Sequence, residues 1–210
     1  MPATERDVAP IVVEIEAGDD WSGFLRRQYA TILASGAANR PWLFWELHNP
    51  WSRVAAMIDS WQVLDICQSG TIVDAVTKVI GDDVVLFDSQ ALPNPGLDAF
   101  DDVAWQHDDT FFPIDEPTGV VVRIPFGIEY GRDEGAAPVH QELVVRYFSA
   151  SSLYLRDPQH PKQQRLMELY PWINYTTLPL WLVSGEDRAG NDFVTGFATK
   201  PGRWTRARSG

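Results

Sequence analysis

One short segment of the chain combines residue types that can hold a metal ion. His107 and Asp109 are separated by one residue, within an aromatic stretch that runs from Trp105 to Pro113. On an extended chain, side chains two residues apart point to the same side, so an imidazole and a carboxylate would converge there. These are two of the three donors of the facial triad that holds non-haem Fe(II) and leaves positions open for substrate and oxygen. The spacing predicts a candidate iron site at His107 and Asp109.

The chain around this motif is strongly acidic. Between Val79 and Val122 there are ten Asp and Glu residues and no Lys or Arg. A solvated acidic loop and a negative basin that attracts a cation are both consistent with this pattern. Asp88, Asp108 and Asp109 favour the basin because they stand beside apolar residues rather than in a plain polar run.

The elements that must position these residues change character along the chain. Helical periodicity comes first, and β-branched and aromatic runs bounded by Pro, Gly and Asp follow Gly81. This order predicts an α+β protein with antiparallel strands and disfavours a parallel doubly wound sheet. Two predicted helices begin near Asp19 and at Asn49-Pro50, and two more lie within residues 70–80 and 160–170. The predicted strands are residues 42–48, 84–92, 120–126 and 143–149. Residues 170–183 are predicted to be extended.

Composition restricts the classes of function. The 210 residues predict a single domain over residues 1–210, with flexible ends at 1–10 and 200–210. A net charge of −12 disfavours nonspecific nucleic-acid binding, which needs clustered Lys and Arg. No apolar run reaches the length that crosses a bilayer, and Cys67 is the only cysteine. We therefore expect a cytoplasmic protein with neither a nucleic-acid nor a membrane partner; the oligomeric state stays open.

Two stretches of the sequence carry a family resemblance. The first is IVDAVTKVIGDDVVLFDSQALPNPG (72–96) followed by VAWQHDDTFFP (103–113), and the second is ELVVRYFSAS (142–151). Their ordered features are a helix ending at Ile80-Gly81, a strand with Gln90, an Asn-Pro-Gly turn, the His107-x-Asp109 pair and a late Arg146-Tyr147 strand. Together these stretches resemble the phytanoyl-CoA dioxygenase family of Fe(II)/2-oxoglutarate-dependent oxygenases.

The resemblance implies a fold and a set of roles. It implies a double-stranded β-helix, or jelly roll, with N-terminal helices. His107 and Asp109 would be metal ligands for Fe(II), Gln90 would line the pocket, and Arg146 would bind the carboxylate of the cosubstrate 2-oxoglutarate. The family has a longer stretch between these motifs that supplies a distal histidine, and only about thirty residues stand there in this chain. The barrel is therefore expected to be incomplete, and the third ligand is His140 or Glu129, or has been lost.

Two functions follow as expectations. The first is an Fe(II)/2-oxoglutarate-dependent oxygenase, a non-haem dioxygenase that hydroxylates a small molecule. The alternative is a degenerate, noncatalytic jelly-roll protein that binds a ligand or a partner. The Trp-rich segments at residues 42–61 and 172–181 are expected to form core or pocket wall in either case.

Overall fold

A five-stranded mixed sheet organises the part of the chain that the structure describes. The structure is a computed structural model, and it describes residues 11–36, 40–93, 113–116, 119–129 and 139–193. Together with four α-helices in these ranges, the sheet makes an α+β protein. The strands are β1 (Ile11–Glu14), β2 (Val84–Leu92), β3 (Gly119–Glu129), β4 (Val139–Ser149) and β5 (Trp181–Ser184); the helices are α1 (Asp19–Ala34), α2 (Ser60–Cys67), α3 (Gly70–Ile80) and α4 (Pro161–Leu169).

The long strands occupy the middle of the sheet. The strand order is β1-β3-β4-β2-β5, in which β1 and β3 are parallel and every other neighbouring pair is antiparallel. All nine residues of β2 are buried. Burial of every residue, rather than of every second one, shows that both faces of the sheet are covered.

The two faces of the sheet carry different cores. Helices α1, α2 and α3 cover one face, where Val145 and Tyr147 of β4 pack with helix residues such as Phe24 and Ile72. Val144 and Phe148 of the same strand point to the opposite face. That face is covered by an aromatic layer, which comprises Trp45, Tyr154, Tyr170, Ile173, Tyr175 and Leu178.

Several predicted elements are confirmed. Residues 70–80 form helix α3 and residues 84–92 form strand β2, with Gly81 between them at a φ of 88° that suits glycine. Helix α1 begins at Asp19, and α4 confirms the short helix expected within residues 160–170. Strands β3 and β4 are longer than predicted, since both extend toward the segment that joins them.

The prediction of a strand at residues 42–48 is wrong. Pro41–Phe44 form a 3₁₀ turn, and only Trp45 makes a bridge, to Gln90 of β2. Proline fits the first position of such a turn because it needs no hydrogen bond there. A short apolar run has no periodicity that separates a strand from a buried turn. The helix expected at Asn49-Pro50 is also absent from its predicted place: the next α-helix is α2, capped by the Asp59 side chain.

Candidate functional site

A buried ion pair lies at the centre of the sheet. Arg146 of β4 donates from Nη1 to Oδ2 of Asp88 on β2 over 2.6 Å, and both side chains are fully buried. The same guanidinium donates from Nη2 to Oε1 of Gln90 over 3.2 Å. Arg146 thereby joins two side chains of the neighbouring strand on the face that carries the aromatic layer.

A β-bulge makes this arrangement possible. The register of the pairing between β2 and β4 shifts between Leu86 and Asp88, with Phe87 as the extra residue. Phe87 packs in the aromatic layer, and regular alternation after it would send Asp88 to the helical face. The extra residue reverses the alternation, which brings Asp88 and Gln90 to the face of Arg146.

Burial controls the protonation of this ion pair. Burial raises the pKa of the Asp88 carboxyl above its ordinary value, and the nearby Arg146 guanidinium acts in the opposite direction. Burial also lowers the pKa of Arg146, which Asp88 opposes. Because arginine starts from so high a pKa, the guanidinium keeps its charge and holds the carboxylate ionised.

The residues predicted for the oxygenase site have different positions. Gln90 and Arg146 share one face of the sheet and are in contact, but neither side chain reaches solvent. His140 lies on β4 six residues before Arg146, about 20 Å away along the strand, and its side chain is exposed. Glu129 is the last residue of β3, and its backbone pairs with Val139. The roles of His140 and Glu129 stay predictions.

The predicted metal ligands His107 and Asp109 lie outside the described residues. Within the ranges that the structure does describe, no three His, Cys, Asp or Glu side chains come together in a group that could hold a metal ion. The same ranges contain no helix with both the length and the apolar character needed to cross a membrane.

The cosubstrate predicted by the resemblance does not fit Arg146 in this arrangement. A 2-oxoglutarate carboxylate would need an accessible guanidinium edge, and Arg146 is fully buried. Asp88 already supplies a carboxylate to that guanidinium. Binding of the cosubstrate here would require Asp88 to move away.

An aromatic cavity lies next to the ion pair. Its volume is about 170 Å³, which corresponds to roughly five or six water volumes of ~30 Å³. Three indole rings form much of its wall, and polar side chains stand between them. The lining residues are Trp42, Trp45, Glu46, Ser52, Arg53, Trp172, Ile173, Asn174, Thr177 and Leu178.

Glu46 is the unusual residue of this cavity. Its φ is 53°, a left-handed backbone conformation that costs energy for a residue with a side chain. Its Oε1 accepts a hydrogen bond from Nδ2 of Asn49 over 3.2 Å. The pKa of Glu46 is raised to about 7: burial is the largest cause, the hydrogen bond from Asn49 opposes it, the negative charge of Asp88 raises the pKa and the positive charge of Arg53 lowers it. The carboxyl of Glu46 therefore titrates near neutral pH.

Polar hydrogens around the cavity lack acceptors. The indole N–H groups of Trp45 and Trp172 and the hydroxyl of Ser52 are buried, and no described residue forms a hydrogen bond with them. Trp45 is 1% exposed, and its ring lies 6.4 Å from that of Trp172 in an edge-on arrangement. Buried donors without acceptors are rare in folded proteins, because each costs desolvation energy.

The cavity and the ion pair share structural elements. The backbone of Trp45 bridges to Gln90, whose side chain contacts Arg146. The carboxyls of Glu46 and Asp88 are close enough to repel each other, which raises the pKa of Glu46. A change in the charge of Asp88 therefore changes the pKa of Glu46.

His48, two residues after Glu46, has a structural role. Its Nδ1 lies 2.7 Å from the hydroxyl of Ser89, which also accepts a hydrogen bond from the His48 backbone N–H. Its ring packs edge-on against Trp181. Burial lowers the pKa of His48 to about 3, so the imidazole is neutral under ordinary conditions.

The sequence carries a signal for Glu46. In the stretch WLFWELH, one acid interrupts a run of aromatic and apolar residues. An acid in such a run must be exposed, paired or shifted in pKa. The run alone does not decide which of these applies.

Comparison of the chain with protein-family models, with curated proteins and with solved structures finds no match.

The buried ion pair predicts an asymmetric response to mutation. Arg146→Met alone should lower the free energy of unfolding by about 3–5 kcal/mol, because it leaves the Asp88 carboxylate buried without its cation. The double variant Arg146→Met/Asp88→Leu should lose much less, since no uncompensated charge remains. Urea denaturation measures both, and a double variant no more stable than Arg146→Met would contradict this account. The exposed pair Arg165–Glu168 is the control, with an expected loss below about 1 kcal/mol.

Glu46 and His48 predict opposite slopes of stability against pH. Between pH 4.5 and 6.5 the folded state holds a proton on Glu46 that the unfolded state has lost, so this residue makes stability fall as pH rises. In the same window the unfolded state holds a proton on His48 that the folded state lacks, so this residue makes stability rise with pH. Relative to the wild type, Glu46→Gln should make the slope more positive and His48→Gln should make it more negative.

The slopes are measured by urea denaturation at several pH values within that window. Each residue contributes at most one proton, which corresponds to about 1.4 kcal/mol per pH unit. Substitution of the exposed His140 by Gln is the control. Slopes that change in the same direction in Glu46→Gln and His48→Gln would show that burial does not set these pKa values.

Proposed function

We propose that the chain is a small-molecule-binding protein that keeps the scaffold of an oxygenase-like jelly roll and does not use Arg146 to bind 2-oxoglutarate. The observation that carries the proposal is the buried contact between Arg146 and Asp88. In this proposal the five-stranded sheet is part of a shortened jelly roll of the phytanoyl-CoA dioxygenase type. The noncatalytic alternative is thus favoured over the oxygenase.

The ion pair supports this choice because Arg146 already donates to Asp88 and Gln90 of its own sheet. Separation of Asp88 from Arg146 would leave a buried carboxylate without a cation, at a cost of several kcal/mol. An incoming cosubstrate would have to overcome that cost before it gained its own contact. Arg146 acts in this proposal as a structural residue of the sheet.

The position of His140 supports the same choice. If Arg146 held one end of 2-oxoglutarate, the metal would have to lie within the length of that short dicarboxylate. His140 is about 20 Å from Arg146 along β4, and its side chain is exposed. A metal ligated by His140 would therefore be out of reach of a cosubstrate bound to Arg146.

The cavity supplies the binding site of the proposal. It is concave and lined by three indole rings together with five polar or charged residues, a mixture that can both bury and orient a small molecule. The strained backbone of Glu46 and the donors of Trp45 and Trp172 without acceptors stand at this one place.

An Fe(II)/2-oxoglutarate-dependent oxygenase is the second candidate. The contact between Gln90 and Arg146 favours it, because the resemblance implies that both line one site. In this candidate His107 and Asp109 would hold the iron with His140 or Glu129, and Arg146 would orient the cosubstrate after release from Asp88. Bound Fe(II) and 2-oxoglutarate would supply the oxidising chemistry for hydroxylation of a C–H bond.

Catalysis separates the two candidates. Under air, with Fe(II) and 2-oxoglutarate, the wild type should release no succinate above the level of a His107→Ala/Asp109→Ala double variant. Anaerobic titration should show the same weak Fe(II) binding by both proteins, without the visible charge-transfer band of an iron chelate. Succinate release that requires His107 and Asp109 would overturn the noncatalytic proposal and establish the oxygenase.

Ligand binding tests the proposal directly. A library of small polar and charged molecules is screened by thermal shift against the wild type and against Thr177→Trp, which places a bulky ring at an exposed position of the cavity wall. At least one compound should stabilise the wild type and not Thr177→Trp. Thr31→Trp, on the exposed face of α1, is the matched control and should keep the response. Compounds that stabilise Thr177→Trp as well as the wild type, or a screen without any hit, would overturn the proposal.

A further inference from the structure

The aromatic cavity carries both signs of charge. Glu46 contributes a carboxyl and Arg53 a guanidinium, and both side chains line the same space of about 170 Å³. No ion pair joins the two within the described ranges, where Arg53 also makes no other ion pair or hydrogen bond. Neither charge is therefore neutralised by direct contact with the other, and both can interact with a ligand.

Arg53 favours an anionic group at one end of the ligand. Its side chain is exposed and lines the cavity, so its guanidinium is within reach of a bound molecule. The planar donors of a guanidinium match a carboxylate, which can accept from two of them at once.

The aromatic rings and Glu46 favour a cation at the other end. Indole is the side chain whose face attracts an organic cation most strongly, and three indoles line the cavity. Glu46 offers a carboxylate in the same wall, held in place by the amide of Asn49. Its left-handed backbone conformation is maintained against its energetic cost, as is common for residues at binding sites.

We propose that the cavity binds a small zwitterion, whose ammonium group lies against the indole rings and Glu46 and whose carboxylate meets Arg53. This inference rests on the proposed function and names its ligand class. The volume suits a molecule of the size of glycine betaine. The two charges of the ligand would then match the two charges of the wall.

Three probes of nearly the same shape test the two halves of the site. Glycine betaine carries both charges, choline carries only the cation, and 3,3-dimethylbutanoate carries only the anion. Isothermal titration at pH 8 should show that glycine betaine binds the wild type most tightly, by about tenfold or more over either of the others. Equal affinity for glycine betaine and 3,3-dimethylbutanoate would overturn the cation half, and equal affinity for glycine betaine and choline would overturn the anion half.

Two conservative variants should give a crossed pattern. Glu46→Gln keeps the shape of the wall and should weaken glycine betaine and choline by about ten- to a hundredfold, with 3,3-dimethylbutanoate unharmed. Arg53→Gln should weaken glycine betaine and 3,3-dimethylbutanoate, with choline unharmed or improved. Arg165→Gln, on the exposed side of α4, is the matched control and should change nothing. Loss of all three probes in either variant would overturn the assignment of charges.

The pH dependence provides a further readout. Glu46 faces Asn49, Asp88 and Arg53, and its pKa is about 7, while the neighbouring His48 is neutral throughout the range used. Glycine betaine should therefore bind more tightly as pH rises from 6 to 8, because ionised Glu46 attracts the ammonium group. Glu46→Gln should remove this dependence. A dependence that persists in Glu46→Gln would contradict the role given to Glu46.

Failure of this inference and failure of the proposed function have different signatures. If none of the three probes binds but other compounds stabilise the wild type and not Thr177→Trp, the zwitterion is wrong and the binding cavity stands. If neither these probes nor the library binds, both are wrong. Near-UV circular dichroism confirms that each variant keeps the wild-type fold.

Discussion

The buried contact between Arg146 and Asp88 constrains the register and the side-chain partners of the strands around it. Two charges without access to water are tolerable only when they neutralise each other. Gln90 supplies one further partner, and the bulge after Leu86 places both Asp88 and Gln90 on the correct face. Regular pairing of β2 would leave Arg146 facing the aromatic layer alone.

This requirement extends to the aromatic layer itself. Tyr154, Tyr170 and Tyr175 cover the face of the sheet that carries the ion pair, and water is excluded from it. Burial raises the pKa of the Tyr154 and Tyr175 hydroxyls, and the negative charge of Asp88 adds to that rise. The same layer continues into the cavity through Ile173 and Leu178. The aromatic layer that covers the Arg146–Asp88 ion pair thus also forms part of the wall of the candidate binding cavity.

How far the sequence could predict this structure depends on which patterns are local. Helix α3 and strand β2 were predicted at their observed bounds because Gly81 separates a clear helical period from a β-branched run. The shared face of Gln90 and Arg146 was also predicted, on the family resemblance. The pairing of Arg146 with Asp88 was not, because a one-residue bulge leaves no mark in the composition of a strand.

The turn that carries Glu46 shows the opposite failure. Its residues pack on both faces of the sheet. Phe44 and Leu47 pack with the helices, whereas Trp45 packs in the aromatic layer. A chain that passes the sheet edge in this way has apolar residues at nearly every position, which resembles a buried strand. What the pattern lacked was the backbone conformation, since a left-handed residue is expected to be Gly or Asn rather than Glu.

Asp88 explains how the resemblance and the proposed function can both hold. A guanidinium placed to receive a carboxylate from a cosubstrate is unstable in a dry core without it, so such a site depends on its ligand. A carboxylate on the neighbouring strand removes that dependence because it is always present and needs no binding step. The same carboxylate occupies a donor of Arg146 that a free dicarboxylate would need. Under the proposed function, the ligand instead binds in the cavity that Glu46 and Arg53 line. These two residues can interact with the charges of a ligand, whereas Arg146 and Asp88 neutralise each other.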